Sequence, residues 1–313
     1  MLKKPAKKKV VFAPQESELP FPGGLPERPE PDTEPLIKPI SHIIWTANKA
    51  KLIERYLLYF VFITRHGTYI DGFAGPQQPD HPEMWAAKLV LDSEPKWFRH
   101  FHLFDLEPEQ IARLESLKSA QQPTDSKGRK VIRDVTIYKG DFNQRIYDLL
   151  IERSITPKEA TFCLLDQRST ECRWKTLQAL AGYKPAGSNK IELFYFLAVG
   201  WLGRTLAATK TPTNLEGLDE WWGRKDWNQF IGMRKQAVAD IFVQRIKKDF
   251  AYKSVKAWPI YDGESGGNIM YYMIHATDHP EAPKLMSRAY DRAVFQENYE
   301  QLRFDEFFQK LDS

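Results

Sequence analysis

Short apolar runs alternate with amphipathic stretches along most of the chain, which predicts strands separated by helices. The first strand is Gly67-Thr68-Tyr69-Ile70-Asp71, and a helix pattern follows from Glu83 to Leu91. The second strand is Phe101 to Asp105, with a helix from Pro108 to Lys118 and a polar loop over 121–128. The third is Val135 to Tyr138; it runs into Gly140-Asp141-Phe142-Asn143 and a helix from Gln144 to Arg153. The fourth is Thr161 to Asp166, a helix covers Trp174 to Ala181, and the fifth strand is Ile191 to Leu197. Such repetition predicts an α/β fold, a doubly wound and mostly parallel Rossmann-like sheet with helices on both faces.

The flanks extend this pattern. Thr46 is an N-cap candidate for a helix through Phe62. In that helix Trp45, Leu52, Tyr56 and Tyr59 recur at helical spacing, with Lys49, Lys51, Glu54 and Arg55 on the polar side. It reads as a helix packed on the sheet edge, with Lys49 a secondary candidate for reaching a ligand crevice. Residues 200–250 read as a helical insertion rich in tryptophan and basic residues. Two β-rich runs, Ser254 to Tyr261 and Ile269 to Thr277, flank the polar string 262–268 and predict a C-terminal antiparallel hairpin that brings the sheet to about seven strands. Helices over 282–296 and 299–311 finish the chain. Residues 1–38 carry prolines at 5, 14, 20, 22, 26, 29, 32 and 35 and a lysine cluster near the start. They read as a disordered tail with too little apolar area to offset its ordering entropy, leaving 39–313 as one α/β domain.

Composition narrows the class. A chain of 313 residues can bury a substantial core. A formal net charge of +4 permits contact with nucleic acid without requiring it. Only Cys163 and Cys172 occur, one in a buried strand and one in a loop, which argues against a disulfide framework. No histidine lies at ligand spacing from them, and His275 and His279 fall on or just after a strand, so no metal site is expected. The absence of an apolar run of membrane-spanning length points to a soluble, cytoplasmic protein without membrane contact.

The candidate chemistry lies at the strand ends. Asp71 closes the first strand and is followed by Gly72-Phe73-Ala74-Gly75-Pro76, where glycines would let a ligand approach the backbone. Asp105, Asp141 and Asp166 end or follow the next three strands, so a parallel sheet brings all four carboxylates to one edge. Asp105, with Glu107 as second choice, suits ribose hydroxyls, and Asp141 suits an exocyclic adenine amine. Any one of them alone could equally cap its following helix.

This pattern resembles the class I S-adenosylmethionine-dependent methyltransferases, and more specifically the three-Cys-motif partner family. The resemblance covers roughly residues 42–290. It is carried by Tyr69-Ile70-Asp71-Gly72-Phe73-Ala74-Gly75-Pro76, Gly140-Asp141-Phe142-Asn143, Leu164-Leu165-Asp166, His275-Ala276-Thr277-Asp278-His279-Pro280 and the helix from Lys49 to Tyr56. It implies S-adenosylmethionine as cofactor, held by Asp71, Gly72, Phe73, Ala74, Gly75, Asp105, Asp141 and Phe142. It implies Asp166 as the catalytic position; Arg168, which stands where the family has its stacking residue, is a catalytic candidate on its own chemistry, able to stack or to pair with phosphate. The chain departs from the family at Gln77, where a second glycine is usual, and at Asp166-Gln167-Arg168-Ser169, where Asp-Pro-Tyr-Gly is usual. The first change narrows the space for the cofactor's carboxylate end. The second removes the usual stacking platform for a flipped base.

Two functions follow. One is methyl transfer to a nucleic acid or nucleotide-like substrate, with Arg204, Arg224 and Lys225 as phosphate contacts. Trp221, Trp222 and Trp227 would then hold the substrate, or would simply pack in the core. The other is a catalytically degenerate subunit that works beside another enzyme, such as the three-cysteine partner protein for which the family is named.

Overall fold

The central strands form because their residues are apolar on both sides. In the computed structural model, which describes residues 49–152, 155–208, 211–263 and 266–292, β1 (Gly67–Asp71), β4 (Thr161–Leu165) and β5 (Glu192–Leu197) are buried at every position. A strand covered on both faces needs this continuous pattern. β2 (Phe98–Asp105) and β3 (Asp134–Lys139) carry more exposed positions, and β3 lies at the sheet edge.

The seven-stranded sheet has the order β3-β2-β1-β4-β5-β7-β6, with β6 (Ser254–Gly263) and β7 (Gly266–Thr277) forming the C-terminal hairpin. The first five strands pair in parallel. β7 enters between β5 and β6 and runs antiparallel to both. A parallel sheet closed by one reversed strand is the methyltransferase-like arrangement that the sequence leads one to expect.

Each strand feeds two cores. Tyr69, Phe162, Leu164, Phe194 and Phe196 point to the face covered by α1 (Lys49–Thr64), α2 (Ala86–Asp92), α3 (Pro108–Ser119) and α9 (Ala282–Arg292). Ile70, Cys163, Leu165, Tyr195 and Leu197 point to the face covered by α4 (Phe142–Glu152), α5 (Trp174–Gly182), α6 (Val199–Ala208), α7 (Pro212–Trp222) and α8 (Lys235–Phe250). The period-two alternation of a strand makes the sheet doubly wound. Cys163 and Cys172 are buried as free thiols. Among the described residues no helix is long and apolar enough to cross a membrane.

Several boundaries differ from the sequence reading. β2 starts three residues earlier, at Phe98, which packs flat against Phe60. The stretch from Glu83 divides into a 3-10 turn, Pro82–Met84, and α2. The 200–250 insertion holds α6, α7, a 3-10 turn (Trp227–Phe230) and α8. Trp221 and Trp222 are core residues and not a substrate platform, because both pack on Phe230 and Phe242. Arg245 of α8 is held between the rings of Trp174 and Trp222, at 3.7 and 3.9 Å. The tail 1–38, the cap at Thr46, Trp45 and the helix over 299–311 lie outside the described residues.

Candidate active site

Asp71, Asp105, Asp141 and Asp166 do emerge together at the carboxyl edge of the parallel strands. In register Asp71 pairs with Leu103 and Leu164, so Asp105 and Asp166 each stand two residues further along. Two adjoining cavities open there. One, of about 360 Å3, is lined by Gly72, Asp105, Gln110, Asp141, Phe142 and Arg168 among others. The other, of about 240 Å3, is lined by Lys49, Asp71, Trp85, Trp201, Met270 and Tyr271 among others. Phe73, Gly75, Gln77 and Asp166 line both.

Asp71 is buried. Its Oδ2 accepts the Tyr69 hydroxyl at 2.8 Å and its Oδ1 accepts the Phe73 N–H at 3.1 Å. Burial pushes its carboxyl up to about 7. The two bonds oppose that rise, and the charges of Asp166 and Asp105 add to it. A buried carboxyl poised near neutrality, in the wall of the Lys49 cavity, is an arrangement found at functional sites.

Asp105 accepts the Gly75 N–H on Oδ2 at 2.9 Å and the Glu107 N–H on Oδ1 at 3.0 Å. Each oxygen retains capacity for a further donor. The glycines are needed for a different neighbour from the one the sequence suggests. A Cβ on Gly75 would lie 2.5 Å from both Asp105 Oδ2 and Gln110 Cβ, and one on Gly72 would lie 3.1 Å from Leu165 and Phe142 side-chain carbons. The Cβ side of each glycine is taken by the protein's own side chains, and this close approach holds Asp105 at the cavity wall, while both glycines also line the Asp105 cavity.

Gly140 adopts φ +127°, which turns β3 sharply into α4. The turn leaves Asp141 to cap that helix: its Oδ1 accepts the Asn143 N–H and Nδ2, both at 2.9 Å, while Arg173 Nη2 stands 3.5 Å from Oδ2. Phe142 is buried against Phe73 and Phe104 and presents only part of its ring to the cavity. Asn143 also donates to the Glu171 carbonyl and accepts from the Arg173 N–H and the Thr176 hydroxyl, tying α4 to the segment after β4.

Asp166 is buried, and its Oδ1 accepts Lys49 Nζ at 2.6 Å. The ammonium lies over two rings, 5.1 Å from the centroid of Phe196 and 4.8 Å from that of Tyr271. Gln77 donates to the Asp166 carbonyl at 3.3 Å and so forms part of the wall between the cavities. Gln167 points inward: it accepts the Cys172 N–H at 2.8 Å and donates to the Phe196 carbonyl at 3.2 Å. Arg168 is exposed on the side of Asp105, while its N–H and that of Ser169 are held by Glu171 Oε2.

Sequence reasoning passed over Trp201. The residue is 41% exposed and lines the Lys49 cavity, and its ring carries the Arg204 guanidinium at 4.3 Å. The i, i+3 spacing of an aromatic and a cation just after β5 was the available signal. His275 is buried at the other end of β7's pairing with β5, bonded to Glu192 at 3.1 Å and away from both cavities. Among the described residues no group of three or more His, Cys, Asp or Glu could hold a metal ion.

No family model matches the chain, and no curated protein matches it. Among solved structures it is similar to a DUF574 family protein from Streptomyces avermitilis MA-4680, at 12% identity over 74% of this chain and 82% of that one, with a TM-score of 0.39. It is also similar to Trm1 from Pyrococcus horikoshii in complex with S-adenosyl-L-methionine, at 13% identity over 82% of this chain and 61% of that one, with a TM-score of 0.37. The strand order and the reversed β7 identify the fold independently of these similarities.

Proposed function

We propose that this chain is an S-adenosylmethionine-dependent methyltransferase whose acceptor is an amine on a nucleic acid or nucleotide-like molecule. The observation that carries this reading is that one carboxylate, Asp166, faces both carboxyl-edge cavities. A nucleoside-type cavity lies on one side of it and an aromatic cavity on the other.

The donor set suits an adenosyl ligand. Asp105 keeps an accepting position on each oxygen for the two ribose hydroxyls. Beside it the amide oxygen of Gln110 is buried with no partner among the described residues. Asp141 and the edge of Phe142 border the far end, where the adenine would lie. A cavity of about 360 Å3 is within the usual range for a bound small molecule. When bound, S-adenosylmethionine supplies an electrophilic methyl group.

The chain's own residues would do the rest. Asp166 accepts from the acceptor's N–H and takes its proton. Trp201 offers a ring face to a planar base, and Arg204 on Trp201 offers a cation to its phosphate. Arg168 sits on the donor side and would meet the donor or the backbone of a long substrate.

Transfer of labelled methyl to RNA, DNA and protein pools tests the acceptor. The expected result is label in one nucleic-acid pool, lowered at least tenfold by Trp201→Ala with donor affinity unchanged. Label in protein alone would count against a nucleic-acid acceptor. A second reading is a binding subunit for another enzyme, and the three-cysteine partner remains a proposal of this kind. It is favoured by the Lys49–Asp166 pair, which already occupies the carboxylate an acceptor would use. Donor binding without turnover on any pool would support it.

A further inference from the structure

We propose that Lys49 is itself a methyl acceptor, modified in cis inside the cavity that it lines. The inference rests on the donor reading above and adds a substrate to the same site.

Lys49 lies at the first described turn of α1, and a lysine ordinarily keeps its charged head in water. Here it is only 7% exposed. Its ammonium is turned in to Asp166 at 2.6 Å and covered by the rings of Phe196 and Tyr271. A carboxylate with two ring faces is the chemistry that recognises ammonium and methylammonium groups. Lys49 is also the one lysine among the described residues that lines either carboxyl-edge cavity. The described Lys184 and Lys190 line a cavity at the opposite edge of the sheet. The carboxylate that holds the amine is therefore the same one that faces the proposed donor.

The step balances as a simple transfer from a sulfonium donor. The Lys49 ammonium gives a proton to Asp166. The freed lone pair attacks the methyl carbon, so an N–C bond forms as the C–S bond breaks. Sulfur keeps the bonding electrons and leaves as a neutral thioether. Asp166 later returns its proton to water. The methylated lysine remains cationic and keeps its place between the carboxylate and the rings.

The test uses the full chain. Lys49 is examined by peptide mass spectrometry in the protein as isolated from cells, and again after incubation with S-adenosylmethionine carrying a deuterated methyl. The expected result is methyl on Lys49 in the isolated protein and deuterated methyl added there on incubation. Asp166→Asn should lower the added label at least tenfold. If that variant does not fold, Lys49→Arg keeps the cation and should carry no label at this position. Donor binding by calorimetry with no methyl on Lys49 in either sample would overturn this inference and leave the donor reading standing. Absence of donor binding would remove both. Label spread equally over surface lysines would also overturn it.

Discussion

The hydroxyl of Tyr69 donates to Asp71 across 2.8 Å, two residues apart on one face of β1. It is one of two bonds offered to a carboxylate that burial holds near neutrality. Because the folded pKa is raised, the native state binds more protons than the unfolded chain between the ordinary carboxylate range and about 7. Stability from this group is therefore present at low pH and lost as pH rises through that window. Asp71→Asn should be more stable than the parent at pH 8 by about 4 kcal/mol, with the difference vanishing at low pH. Urea unfolding of both proteins at several pH values checks this. An unchanged difference across pH would show that Asp71 does not titrate there.

Gly75→Ala probes the packing that sets Asp105, the carboxylate proposed to hold ribose. The new methyl would meet Asp105 Oδ2 and Gln110 Cβ at 2.5 Å, so both must move. Overpacking of this kind costs about 1–3 kcal/mol. Donor affinity should fall at least tenfold by calorimetry, and stability should fall by an amount in that range.

Glu192 is the polar anchor at the opposite edge of the sheet. It is buried and accepts from the Tyr56 hydroxyl, from His275 at 3.1 Å and from the Thr277 hydroxyl at 2.6 Å. Burial pushes its carboxyl up, but the charge of His275 and these bonds outweigh it and hold the group below its ordinary value. Its contribution is thus present at neutral pH and lost as pH falls through the folded value. Glu192→Ala should cost about 3–5 kcal/mol in urea unfolding at pH 7, since it removes the buried charge that Tyr56, His275 and Thr277 share. Glu192→Gln should cost less, because it keeps an accepting oxygen.

Arg245 between Trp174 and Trp222 fastens the helical insertion to α5. Arg245→Ala should destabilise by about 2–4 kcal/mol, and Arg245→Lys should recover only part of this because an ammonium lacks the planar fork. Urea unfolding followed by tryptophan fluorescence reads both.

The sheet was legible in the sequence because each central strand is an apolar run and each connection a helix pattern. The tip carboxylates were legible because they end those runs. What periodicity could not give was the partner of each group. Gly75 reads as room for a ligand, yet its neighbour is Asp105. Asp141 reads as an adenine contact and also caps α4. Trp222 reads as a stacking surface, yet a buried cation from α8 claims it. Lys49 lies 117 residues from Asp166, and no local spacing links them. Such pairings are set by which helices cover which face, and that is decided by the whole sheet.

Isothermal calorimetry with S-adenosylmethionine and its demethylated product, on the full chain and on Asp105→Ala, tests the central claim most directly. Binding of both ligands in the micromolar range, weakened at least tenfold by Asp105→Ala, is the predicted result. No heat from either ligand at millimolar concentration, with the chain folded, would contradict it.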